Sequence, residues 1–396
     1  MARVLRSKFT RLAATCVILV FSVGLTIWSQ SAPLTIILTG QSMIRSDIRV
    51  TAPAAASTIA SLLKGGDVVF TNYEGSVAEP GQPNESAPQH AAETVAPPAT
   101  LDALKFVGFN LLSLSNNHSW DMGAPGIQNT LREVTRLNLA HAGIGNTLAE
   151  ATAPGYLRTP KGTVALVGMA SPTTGATATQ PGANELRVGP GNKPNEEDTE
   201  RILQSIREAR KNADVVIVYQ HNHIYDVNFG TMFAEELPDR LVPPDWIKKW
   251  THAEVDAGAD IVVMHGAPVV QGVEIYNHGA IFYDLGNFIF NLPTTNSGLE
   301  EPIIWESVIA SLEYQGKKLQ SIQFRAVALN KIGQGQPDAH DPHAITKFLS
   351  TRGLPSPVTG DKAGYILKRL ADLSRPFGTT VDVKGDTAEI NLKGAN

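Results

Sequence analysis

Short β-rich runs alternate with amphipathic helices from Leu34 to about Asn330, and that alternation constrains the fold more than any other feature of the chain. The runs LTIIL (34–38), VVFT (68–71), NLLSLS (110–115), TVALVGM (163–169), VVIVY (215–219) and IVVM (261–264) read as buried strands, and AIFYDLGNFIF (280–290) as a further strand-like run. Helices are expected around Ile59, Leu62 and Leu63, through Ile127, Leu131, Val134 and Leu137, near 199–212, and over 244–257. The stretch 303–329 reads as antiparallel strands around Gln315-Gly316. Pro-rich 79–99 and the Pro/Gly/Thr-rich 171–197 have no usable period and are expected to be long loops, of the kind that often wall a site. The outcome is an α/β domain over 33–330, with a C-terminal extension, 331–396, that carries one amphipathic helix at Ile366, Leu367, Leu370 and Leu373. There are no internal repeats.

A second regularity lies on top of the first. Gln41, Glu74, Asn117 with His118, His221 with His223, and His265 each stand just past the carboxyl end of a predicted strand. In α/β sheets that edge is where loops converge and sites are built. Five such positions in register are hard to explain as solvated loop residues. His, Asn and carboxylate side chains suit borderline divalent ions such as Zn or Mn, and an imidazole near neutral pKa moves protons. Asp121, three residues after His118, is placed to orient that ring, although Asn and Asp in SNNHSWDMG would equally form an Asx-type turn before the next helix. His141, His252, His340 and His343 have no partner at a suitable spacing and read as surface or structural, while His90 reaches a site only if the Pro-rich loop folds over it.

Charge and cysteine content narrow the partners. Four of the 33 Lys and Arg residues (Arg3, Arg6, Lys8 and Arg11) precede residue 12, which leaves 29 against 38 Asp and Glu in the remainder. An acidic body argues against a nucleic-acid groove. Cys16 is the only cysteine, so intrachain disulfides and thiolate metal sites are excluded. Residues 12–28 are uncharged and mostly apolar and follow that basic start, with Ser29, Ser31 and Ala32 behind them. Residues 1–32 therefore read as a secretory signal, or as a retained N-terminal membrane anchor. Cys16 sits inside the apolar run and reads as a small residue of that run. The body is expected to be exported, periplasmic or otherwise extracytoplasmic, and tethered to the inner membrane if the segment is uncleaved.

The ordered blocks LTGQSMIRSD, VVFTNYEGSV, LLSLSNNHSWDMG, HAGIG, VVIVYQHNH, ADIVVMHGAPVVQGVE and IFYDLGNFIF resemble the CapA family of poly-γ-glutamate capsule biosynthesis proteins, in the calcineurin-like metallophosphatase superfamily. The resemblance implies a four-layer α-β-β-α metallophosphatase-like sandwich with its site at the strand ends. It puts Glu74 in the place of a bridging carboxylate, Asn117 and His221 in those of metal ligands, and His118 in that of the histidine assisting the leaving group. The chain also departs from the family's pattern. Gly40-Gln41 stands where Gly-Asp is usual, Gly266 and Pro268 stand where two ligand histidines are usual, and His221-Asn222-His223 stands where His-Trp-Gly is usual.

Three ligands are thereby lost, so a two-metal site is not expected and one divalent ion, Mn or Zn, is the most the chain would hold. The assignment is Glu74, Asn117 and His221 to the metal, His118, Asp121 and His265 to acid–base work, and Gln41, Asn116 and His223 to substrate. One expected function is a capsule-polymer hydrolase of amide or phosphoester bonds. The alternatives are a non-catalytic module that binds an anionic envelope polymer or its synthase complex, and a metal-free histidine enzyme.

Overall fold

The computed structural model describes residues 32–79, 95–292, 299–333, 347–348 and 351–392. All of the segment read as a signal or anchor (1–32) except Ala32 lies outside the described residues, as do His90, His340, His343 and most of the Pro-rich loop. Among the described residues no helix is long and apolar enough to cross a membrane.

Two sheets form the centre. In the first, the strands run Val381–Lys384, Thr387–Ile390, Lys318–Leu329, Glu306–Gln315, Leu34–Leu38, Val68–Asn72, Leu111–Ser113 and Ala140–Ala142, with Pro355–Pro357 paired to Lys318–Leu329. In the second they run Val273–Tyr276, Gly279–Phe282, Ile261–His265, Val215–Asn222, Gly162–Ser171 and Gly155–Thr159. Leu34–Leu38, Val68–Asn72 and Leu111–Ser113 are mutually parallel, as are Gly162–Ser171, Val215–Asn222 and Ile261–His265. Their carboxyl ends therefore lie along common edges.

Alternation along each strand decides the layers, because successive side chains point to opposite faces. Ile36 and Leu38 join Phe70, Val215, Ile217, Tyr219 and Val263 in a core between the sheets, while Ile37 packs outward with Val69, Ile59, Leu104 and Val134. On the other side Val216, Val218 and Val262 pack outward against Ile202, Ile206, Trp246 and Trp250. Phe70 and Tyr219 meet across the sheets at 5.7 Å between ring centroids. The result is a four-layer α-β-β-α sandwich, the architecture the family resemblance implies.

Local chemistry supports the outer helices. The Glu196–Asn212 helix is capped by the Asn195 side chain, which accepts from the Asp198 backbone. Its first turn holds Glu196, Glu197 and Asp198 and its last turn Arg210 and Lys211, each sign facing the favourable end of the helix dipole.

Several elements differ from the sequence expectation. The 280–290 run is two strands, Gly279–Phe282 and Asn287–Phe290, broken where Gly286 takes φ +80°. Gln41 does not end a strand but begins one, Gln41–Met43, which pairs with Asn287–Phe290. The 215–219 strand continues to Asn222, so His221 lies inside it. The loop expected over 79–99 ends early, since Val95–Ala96 pairs with Ser76–Val77 and a helix covers Ala99–Val107. The C-terminal residues are integral to the sandwich. The Gly360–Ser374 helix places Ala363, Ile366, Leu367 and Leu370 in the inter-sheet core, and Ser374 Oγ accepts from Val273 N at 3.0 Å.

Candidate active site

Strand register brings the polar residues together. His221 and His265 are direct neighbours on adjacent parallel strands, and Tyr219, two residues before His221, shares its face. Across the inter-sheet gap, Glu74 follows the Val68–Asn72 strand and is held by its backbone N–H donating to Ser42 O at 3.0 Å. Gly40, two residues before Ser42, lets that segment lie against Gly286, where a Cβ would stand 2.2 Å from Gly286 O.

His221 Nε2 lies 3.8 Å from Glu74 Oε1 and 3.2 Å from His223 Nε2. Its other nitrogen, Nδ1, is 3.2 Å from Tyr219 Oη. His223 stacks on Phe229 at 3.9 Å, which fixes its ring from the far side. His118 Nδ1 is 2.9 Å from Asp121 Oδ2, and at 24% side-chain exposure His118 faces solvent more than the wholly buried His221. Mutual electrostatic effects connect Glu74 with His118 and Asp121, and His221 with His118, His223 and His265. Glu74, His118, Asp121, His221, His223 and His265 thus form one cluster.

Burial sets the protonation states. It pushes the Glu74 carboxyl up to about 7, with His118 opposing and Asp121 adding to the rise. It pushes His221 well below the usual histidine range, and its histidine neighbours push the same way. His223 and His265 are driven down to about 3, again chiefly by burial. These three rings are neutral at pH 7, each with one lone pair and one N–H.

Asn116 and Asn117 divide the work of their loop. Asn116 is fully buried, its Nδ2 donating to Tyr73 O at 2.8 Å and its Oδ1 accepting from His118 N at 3.0 Å. That is the Asx-type turn, in which both ends of the Asn116 amide hold the loop. Asn117 Oδ1 is buried with no partner. Gln41 is also buried and donates to Asn287 Oδ1 at 3.0 Å, which leaves its Oε1 unpartnered. His252, read as partnerless, pairs with Glu274 at 2.9 Å and stacks on Tyr276, away from this cluster.

Sequence reasoning missed two residues. Tyr219 was legible in principle, since a strand's period of two puts residue 219 beside 221. Asp284 was hidden in an apolar run, where an isolated carboxylate was itself the signal. It accepts from Ala267 N at 3.0 Å and Gly286 N at 2.7 Å and so pins the turn that follows His265. Burial pushes its carboxyl well above the ordinary range, with nearby Glu74 adding to the rise.

Among the described residues, no group of three or more His, Cys, Asp or Glu is spaced to hold an ion. Glu74 Oε2 and Asn117 Oδ1 are nevertheless buried oxygens without partners, beside a neutral His221. That set suits one divalent ion only if the Asn117 amide completes the shell. It offers nothing for a second.

A layered α/β sandwich with a Glu, Asn and His cluster at its strand ends defines the class. The chain belongs to the family described as bacterial capsule synthesis protein PGA_cap, whose profile matches residues 35–292. It is 30% identical over 238 residues to the capsule biosynthesis protein CapA of Bacillus anthracis, covering 59% of this chain and 53% of that protein. With the PGA biosynthesis protein CapA of Bacillus subtilis it shares 30% over 231 residues, 58% of this chain and 55% of the other. Similarity to the uncharacterized protein y4sH of Sinorhizobium fredii, at 27% over 420 residues, spans 85% and 88% of the two chains. A phosphatase structure from Mycoplasma pneumoniae aligns at a TM-score of 0.44 with 10% identity, covering 75% of this chain and 94% of that one.

Proposed function

We propose that this protein acts in the synthesis of an anionic, poly-γ-glutamate-type envelope polymer, as an exported hydrolase of amide or phosphoester bonds. Family membership supports the capsule role, and the basic-then-apolar start of the chain supports export. One observation carries the hydrolytic reading. The Glu74 carboxyl and His221 ring face each other at 3.8 Å in full burial, with Glu74 Oε2 and Asn117 Oδ1 left unpartnered.

A divalent ion held by Glu74, Asn117 and His221 would polarise the scissile carbonyl or phosphoryl oxygen and activate water. The remaining chemistry belongs to the chain. His118, more exposed than His221 or His265, gives a proton to the departing amide nitrogen or alkoxide oxygen, and Asp121 steadies the ring for that transfer. Tyr219 fixes the orientation of His221 from behind. His223 and His265 keep the pocket wall neutral and polar.

Elemental analysis of the protein purified without chelator, beside Glu74→Ala and His221→Ala, tests this reading. About one Zn or Mn per chain, lost in both variants, is expected. No metal after incubation with excess Mn²⁺ or Zn²⁺ sinks it. The absence of a three-residue His, Cys, Asp and Glu group among the described residues favours a second reading, in which His118, His221 and His265 move protons without metal. Turnover that survives a chelator would select that one.

A further inference from the structure

Beside the histidine cluster lies a second group of charges that the proposed chemistry does not use. Arg352 is 3% exposed, and its guanidinium is stacked between Trp305, at 5.0 Å, and Phe348, at 4.9 Å. Its Nε and Nη1 are buried with no hydrogen-bond partner, and the carboxylate whose charge it feels is Glu300. Arg240, also buried, touches Glu301 at 2.6 Å on one side and leaves its Nε without a partner. Lys331 takes the neighbouring Glu300 at 2.6 Å. Three cations thus share Glu300 and Glu301, and among the described residues Arg352 is the one of the three with no close salt bridge to either.

A buried cation with no hydrogen-bonded counter-charge is costly, and aromatic faces and the more distant Glu300 offset only part of that cost. The group also adjoins the site. Asn291 Nδ2 donates to Arg352 O at 2.7 Å, while Asn291 N bonds Met43 O on the strand that begins at Gln41. On the other side Gln271 Nε2 donates to Arg240 O at 2.8 Å, and Gln271 N bonds Asp284 O, next to the turn after His265. Met43, Ala267, Phe290 and Trp305 join one apolar cluster that spans the two.

We propose that Arg352, with Arg240, forms an oxyanion subsite that receives a carboxylate of the substrate while the reacting bond lies at the histidine cluster. A planar guanidinium with free N–H groups is suited to an oxyanion, and a γ-linked glutamate chain carries one carboxylate per residue. The choice of carboxylate rests on the polymer reading above. The same guanidinium chemistry would also take a phosphoryl group, so the source must be separated by experiment.

Calorimetric titration of the full chain with a γ-linked glutamate oligomer, and separately with inorganic phosphate, makes the test on wild type, Arg352→Gln and Arg352→Lys. The oligomer is expected to bind wild type and to bind Arg352→Gln at least tenfold more weakly, with Arg352→Lys between them. Arg352-dependent binding of phosphate alone would support the oxyanion subsite and assign it to a phosphoryl group, which overturns the carboxylate source. Equal affinity in all three proteins, or no binding of either probe to wild type, overturns the subsite. Should Arg352→Gln fail to fold, Arg352→Lys carries the test, and unchanged affinity there is the overturning result. Glu74→Ala that loses metal but still binds the oligomer separates this subsite from the site at Glu74.

Discussion

His221 Nε2 and His223 Nε2 face each other at 3.2 Å while Tyr219 Oη holds the opposite nitrogen of His221 at the same distance. Both rings are neutral, because burial depresses their basicity. Two neutral imidazoles at that separation either share one proton in a hydrogen bond or direct a lone pair at a common ligand. What Tyr219 does at Nδ1 selects between these states, since the tautomer of one nitrogen is set by the partner of the other.

Tyr219→Phe isolates that role. The side chain is fully buried against Phe70, and Phe preserves its volume, so stability should change by only about 1 kcal/mol. Affinity for Mn²⁺ or Zn²⁺ should fall about 10–100-fold, as for other losses of a ligand's supporting hydrogen bond. Metal titration beside thermal unfolding reads both. Wild-type affinity would remove Tyr219 from the site.

Gly266 takes φ +130°, and a Cβ there would stand 2.1 Å from Asn222 O. Gly266→Ala combines a strained backbone with a backbone clash next to His265, so a loss of about 3 kcal/mol is expected. Urea unfolding measures it, and a loss below about 1 kcal/mol would show that the turn can relax.

Glu254 is fully buried on the helix Asp245–Asp256, and neither carboxylate oxygen has a hydrogen bond. Burial pushes its pKa well above the ordinary 4.5. The folded chain then keeps a proton that the unfolded chain releases above about pH 4.5, so the contribution of Glu254 to stability is present below that pH and declines as pH rises. Glu254→Gln should be increasingly more stable than wild type from pH 4 to pH 8. Parallel urea midpoints for the two proteins across that range would contradict the assignment.

Leu367 belongs to the core between the sheets although it lies more than thirty residues beyond the Lys318–Leu329 strand. Leu367→Ala should cost about 2–5 kcal/mol, the range for a buried leucine in a filled core. Chemical denaturation gives the number. A cost near zero would mean that the helix merely rests on the sandwich.

Much of this was legible in the residues themselves. Ile36-Ile37-Leu38 and Val215 to Tyr219 announce strands buried on both faces, and Gly40, Glu74, Asn117 and His118 stand where strand ends build sites. The family resemblance and the chemistry of the cluster followed from those residues. Their partners did not, because hydrogen bonding and burial depend on distances that strand register alone sets. Register brings His221 against His265, and the packing of two sheets brings Glu74 within 3.8 Å of His221. The same packing gives Asn116 its hydrogen bond to Tyr73 O and makes an isolated Asp284 the clamp on the turn after His265. Residue type and spacing determined the kind of site this chain could build. Desolvation between the sheets decided which groups are neutral and which are left without a partner, since only tertiary contact removes water from them.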